Sequence, residues 1–228
     1  MNIKKTVIAT MLGLSAVSAN VQAEQFTVQI ENLTNGIFFT PLLVAAHDSS
    51  TKLFQTGTSA NASLEAMAEG GDISGLVADI AGTSPTTVEN PAVGLLAPGA
   101  NTTTSMLDTD GTANNYLSIV GMLLPTNDGF VGLNSWEIPS TAGTYSFTIN
   151  GYDAGTEAND ELTASIPAPI DFGTGTGGTG VATSDSNTNV HIHRGSIGDD
   201  NSTSGISDLD NSVHRWLNPI ARITVVVQ

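Results

Sequence analysis

Apolar and polar residues alternate along much of this chain with the period of a β-strand. Phe26, Val28 and Ile30 are interleaved with Thr27, Gln29 and Glu31, which turns one face of an extended segment inward and the other outward. Tyr145, Phe147 and Ile149 repeat the pattern within residues 144–150, and Ile223, Val225 and Val227 repeat it at the end of the chain. Residues 36–46 form a further apolar run, and residues 116–124 (YLSIVGMLL) are apolar almost without interruption, as suits a central strand. Clusters of Gly, Thr, Asn, Asp and Pro separate these runs and supply turn chemistry.

One region reads as helix. Residues 60–69 are rich in Ala, with Leu64 and Met67 three apart and Gly70-Gly71 as a stop. Asp72 then caps a second short helix through Ile80. These helices are expected in a connection across a β-sandwich. With no repeat and no linker, the chain is read as one all-β antiparallel sandwich domain over residues 24–228.

The N-terminus reads as a signal peptide over residues 1–23. Lys4 and Lys5 precede a short apolar stretch from Val7 to Val17, and Val21-Gln22-Ala23 gives the small-x-small cleavage pattern, with Ala19 as a second cut point. That stretch is too short to span a membrane. Cysteine is absent, which excludes disulfides, thiolate metal sites and lipid attachment through cysteine. The expected location is therefore periplasmic or extracellular. Cleavage would remove 23 of 228 residues and leave 205, enough for one substantial core. Four basic residues, Lys52, Arg194, Arg215 and Arg222, would then face 22 acidic ones, a net charge of −18. Such a surface repels nucleic acid and anionic lipid and attracts cations.

Several familiar motifs fail on their context. Gly173, Gly175 and Gly178 match a dinucleotide fingerprint in spacing, but no strand clearly feeds them and no helix follows. Asp108-Thr109-Asp110-Gly111 resembles the start of an EF-hand loop, yet its glycine comes two places early and Ile119 stands where a bidentate Glu is required. No nucleophile elbow and no His-Glu-x-x-His is present, so no catalytic set is found and no enzyme activity is expected. His191 and His193, two apart on a strand, share one face and could bind zinc or copper with His47 or His214 as a third ligand. Local hydrogen bonding of the imidazoles is the plainer reading. Asp199, Asp200, Asp208 and Asp210 form an acidic loop, read as solvated.

The most informative stretch runs from Asn127 to Glu157. Residues 130–138 and 144–150 read as strands joined by the turn Pro139–Gly143. If they pair as a hairpin, Asp128 and Asp153 are equidistant from its centre, between residues 140 and 141, and face each other at the open end. Glu157 follows on the same loop, after Gly155. Three carboxylates gathered there repel one another, and compensation comes from raised pKa, solvent or a cation. Oxygen ligands on loops suit calcium better than magnesium or a transition metal. Ordinary solvated loop acids are the alternative.

Residues 126–135 (TNDGFVGLNS) and 152–157 (YDAGTE) resemble the two signature stretches of the spondin domain. Residues 26–32, 219–225 and 191–194 resemble its first strand, its last strand and the segment before a Gly/Asp-rich loop in stand-alone exported bacterial members. The resemblance implies a C2-like antiparallel β-sandwich with calcium held at one end by Asp128, Asp153 and Glu157. The third acid is Glu where the animal proteins carry Asp. The thrombospondin-type repeats of those proteins are missing, so matrix attachment through them does not transfer. The expected function is a calcium-binding adhesion or binding module for a protein or glycan partner. A subunit of a surface layer or filament is the alternative, and a histidine-based metalloenzyme a weaker third.

Overall fold

The computed structural model describes residues 25–167, 181–183, 187–201 and 204–228. The signal-peptide segment and the Gly/Thr loop at 173–180 lie outside the described residues. The elements in order are β1 (Gln25–Asn32), β2 (Phe38–Phe39), β3 (Leu43–His47), α1 (Ala62–Gly70), α2 (Ser74–Ile80) and a 3-10 turn at Ala81–Thr83. There follow β4 (Thr86–Glu89), β5 (Asn101–Thr103), β6 (Leu107–Asp108), β7 (Tyr116–Leu124), β8 (Gly129–Glu137), β9 (Gly143–Asp153), β10 (His191–Ile192) and β11 (Ala221–Val227).

All named strand pairs are antiparallel and form two facing layers joined through β9. One layer runs β5–β1–β11 and the first half of β9, with β6 also on β1. The other runs β4–β3–β7–β8, the second half of β9, and β10. Phe26, Val28, Ile30, Ile223 and Val225 from the first layer meet Val44, Ala46, Leu117, Ile119 and Val131 from the second in one buried core. The alternation in β1 and β11 is the signature of strands buried on one face only.

A third layer explains the unbroken apolar run of β7. Its other face, with Val120 and Met122, packs with Leu43 and Ala45 of β3 against Leu64 and Met67 of α1 and Leu76 and Ile80 of α2. Each fully buried side chain of this size contributes about 1.5–3 kcal/mol, so the two short helices are held by packing rather than by their own propensity. Helix α1 starts two residues later than the sequence predicts because the Asn61 side chain caps it, accepting the Leu64 N–H at 2.8 Å. Gly71, at φ 72°, ends it in the left-handed conformation.

The expected hairpin forms at one end only. Gly129 to Gly132 pair with Asp153 to Asn150. Beyond that point the strands part: β8 continues along β7, while Gly143–Ile149 of β9 pairs with β11 in the opposite layer. The observed register also places Gly129, not Asp128, opposite Asp153. The hairpin centre is thus residue 141, and Asp128 lies just outside the ladder.

Candidate metal centre

Two loops at the paired end of β8 and β9 bring the acids together. In the first, the Thr126 hydroxyl donates to the Leu123 carbonyl at 2.6 Å and accepts the Gly129 N–H at 3.0 Å. This closes a tight turn that carries Asp128 inward. A Cβ on Gly129 would lie 2.6 Å from that hydroxyl, so only glycine fits there.

The second loop is built by residues 153–157. Asp153 Oδ1 accepts the Gly155 N–H at 2.8 Å, and Gly155 turns the chain at φ 74°. A Cβ at Gly155 would come within 2.7 Å of the Thr188 carbonyl carbon. The turn aims three donors at one atom. The N–H groups of Thr156 and Glu157 and the Thr156 hydroxyl all donate to Asp128 Oδ2, at 2.8, 3.1 and 3.3 Å. The Ala154 N–H donates to the Asp128 carbonyl at 3.2 Å.

Asp128, Asp153 and Glu157 are 0%, 3% and 3% exposed, so they are not solvated loop acids. Asp128 Oδ1 is buried and accepts no hydrogen bond among the described residues. Glu157 Oε2 is a second such atom, although Glu157 is engaged elsewhere. Burial pushes the Asp128 carboxyl above its usual range, and the nearby charge of Asp153 pushes the same way. The N–H groups of Glu157 and Thr156 oppose the shift without cancelling it. Asp153 has both oxygens occupied, Oδ1 by Gly155 and Oδ2 by the Asn159 amide at 2.7 Å.

Neighbouring elements add groups that sequence reasoning missed. Glu69, at the end of α1, is buried beside Thr156, and its carboxyl is pushed up by desolvation and by the charges of Glu65 and Asp128. The signal available in the sequence was an acid in the last turn of a helix, where the dipole disfavours it. Asn159 bridges two elements. Its amide holds Asp153, and its oxygen lies 3.1 Å from His193 Nε2.

The histidines are placed apart from one another's expected roles. His193 accepts the Gly195 N–H on Nδ1 at 2.9 Å, which fixes Nε2 as the protonated nitrogen donating to Asn159. Its ring packs on Trp216 at 4.9 Å, and burial holds its pKa down to about 4. Both nitrogens are therefore in use. His191 Nδ1 lies 2.9 Å from the Asn189 carbonyl, and Nε2 is 3.7 Å from Asp153 Oδ2. His47 bonds Ser118 of β7, and His214 accepts the Asp210 N–H. The imidazoles make local hydrogen bonds, and neither His47 nor His214 supplies a third ligand to a pair at 191 and 193.

The other acidic segments are turn builders. Asp199 accepts the N–H groups of Asn201, Ile206 and Ser207, and Asp210 accepts those of Ser212 and its hydroxyl. Asp208 holds Thr163, and Asp108 accepts the Asp110 N–H.

The Spondin_N family model matches residues 21–190. The chain belongs to the spondin N-terminal domain family. The match covers both acidic loops of this spondin domain and ends one residue before β10, so His193, Trp216 and β11 lie beyond it. No curated protein matches the chain significantly.

The residues around Asp128 fit a hard divalent cation in kind: oxygen donors, negative charge, and a buried carboxylate oxygen with no bonded partner. Among the described residues no three carboxylate or imidazole side chains already form a complete metal-binding cluster. Each Asp153 oxygen accepts one hydrogen bond and keeps a further lone pair for a shared cation.

Proposed function

We propose that this spondin domain is an exported calcium-binding module with a binding or adhesion role at or outside the cell surface. The observation that carries the reading is Asp128 Oδ1, a carboxylate oxygen buried beside Asp153 and Glu157 with no hydrogen-bond donor. An ionised group in that position is costly unless a cation answers it. Asp128, Asp153 and Glu157 would hold the ion, and Asn159 with His193 would set the orientation of Asp153. Calcium supplies the positive charge and a flexible oxygen coordination; the protein supplies the loops whose conformation the ion fixes. Extracellular sites work with Kd of about 10⁻⁴–10⁻³ M.

Membership of the spondin family supports an extracellular, adhesion-type role. Among the described residues no helix is long and apolar enough to cross a membrane. The partner is a protein or glycan surface rather than nucleic acid, given a chain with 22 acidic and six basic residues.

Isothermal titration with calcium on the wild type and on Glu157→Gln tests the reading. One site in the wild type and at least tenfold weaker binding in the variant are expected. Equal titrations would remove Glu157 from the ligand set, and no heat in either would remove calcium from the account.

A further inference from the structure

The parting of β8 and β9 leaves an open strand edge. Residues 143–149 pair with β11 on one side, across the seven pairs Gly143↔Val227 to Ile149↔Ala221. On the other side β9 joins β8 only from Asn150 onward, and among the described residues no strand pairs with that side of 143–149. Natural sheets guard such edges with short strands, charges or prolines. The remaining edges among the described residues follow that rule: the end of β8 that β9 also leaves, residues 133–137, is interrupted by Ser135 at φ 52° and closes on the charged Glu137. β5 has three residues, β6 two and β10 two, and four-residue β4 ends on Glu89 between Pro85 and Pro91. The β9 edge is longer and unguarded: no charged residue occurs from Ile138 to Tyr152, in a chain of net charge −16.

We infer that this edge pairs antiparallel with the same edge of a second copy, giving a two-fold dimer with one sheet continuous across both chains. The side-chain pattern suits this occupant. Thr144, Ser146 and Thr148 are exposed on one face, and Tyr145 and Phe147 are half-buried on the other beside Trp136. A two-fold centred on Ser146 sets Thr144 against Thr148 and Tyr145 against Phe147, with Ser146 against itself. These hydroxyl–hydroxyl and aromatic–aromatic pairs are among the favourable cross-strand combinations. A one-residue slip would set aromatic against hydroxyl faces. The uncharged segment is also where two acidic chains approach with least repulsion. A two-fold contact uses up the edge in both chains, so the assembly closes as a dimer instead of growing into a filament.

The inference stands apart from the calcium reading, and the dimer is expected in EDTA as in calcium. Sedimentation equilibrium over a concentration series, at low and high salt, tests it. The wild type should dimerise with concentration, and more readily in salt, which screens the net repulsion. Ser146→Lys and Ser146→Glu, each first shown to melt like the wild type, set like charges opposite each other. Each alone should associate about tenfold more weakly or worse, and an equimolar mixture should recover association. A wild type that stays monomeric, single variants that dimerise normally, or a mixture that does not recover would each overturn it.

Discussion

The Glu157 N–H donates to Asp128 Oδ2 at 3.1 Å, so one proposed calcium ligand is held by the backbone of another. Two loops that are 29 residues apart in sequence thereby share one buried carboxylate. Asp128 has a structural role through Oδ2 and a buried oxygen with no hydrogen bond at Oδ1, and the two are experimentally separable.

Replacing Asp128 by Asn removes the charge and keeps an acceptor for the Thr156 and Glu157 N–H groups. The Asp128 carboxyl is raised above its ordinary 3.8, so the folded chain holds that proton more tightly than the unfolded chain. Its contribution is fully present below about pH 3.8 and is lost as pH rises through the raised value. At pH 7 without metal the ionised group is a burden. Asp128→Asn should therefore melt higher than the wild type in EDTA and show no response to calcium. Asp128→Ala, which strips both N–H groups of their acceptor, should instead lose about 1–3 kcal/mol. Thermal unfolding of the three proteins in EDTA decides between these outcomes.

Gly155→Ala should damage the site through the backbone. The left-handed conformation at φ 74° costs a non-glycine residue about 1–2 kcal/mol, and the added methyl meets the backbone of Thr188 at 2.7 Å. A loss of about 2–4 kcal/mol is expected, together with weaker calcium binding, because the donors at 156 and 157 no longer aim at Asp128. Denaturant unfolding checks the stability, and calcium titration checks the site.

Three buried histidines set an acid limit on the fold. Burial lowers His47, His193 and His214 below the ordinary 6.5, His193 to about 4. The unfolded chain then takes up protons that the folded chain refuses. Stability from these groups is full above pH 6.5 and is lost as pH falls toward their folded values. For His193 alone the loss is at most about 3 kcal/mol by pH 4. His47→Gln, on the far strand β3, should flatten the fall in stability between pH 6.5 and 5. An unchanged slope would show that His47 is not a contributor.

Much of this was legible in the sequence. The alternation of β1 and β11 located two strands, and Gly70-Gly71 placed the end of α1. The two acidic loops were found at the same end of β8 and β9, because a hairpin register constrains residues symmetric about its turn. The register itself was one residue off, since a turn sequence does not disclose where two strands stop pairing. The split of β9 between layers depends on Val131 and Ile149 both entering the inter-sheet core, a long-range fact that local pattern does not carry. Glu69 and Asn159 were missed for the same reason: they reach the acids only because α1 packs on β7 and because the loop after Glu157 returns toward His193.

Thermal unfolding of the wild type at pH 7 in EDTA and in millimolar calcium tests the central claim most directly. At a Kd of about 10⁻⁴–10⁻³ M, calcium at about 10 mM is roughly 10–100 times Kd and should add about 1.4–2.7 kcal/mol, raising the melting temperature by several degrees, and Asp128→Asn should abolish the rise. Identical melting temperatures in both buffers would contradict the account and leave Asp128 as a buried acid that serves the fold alone.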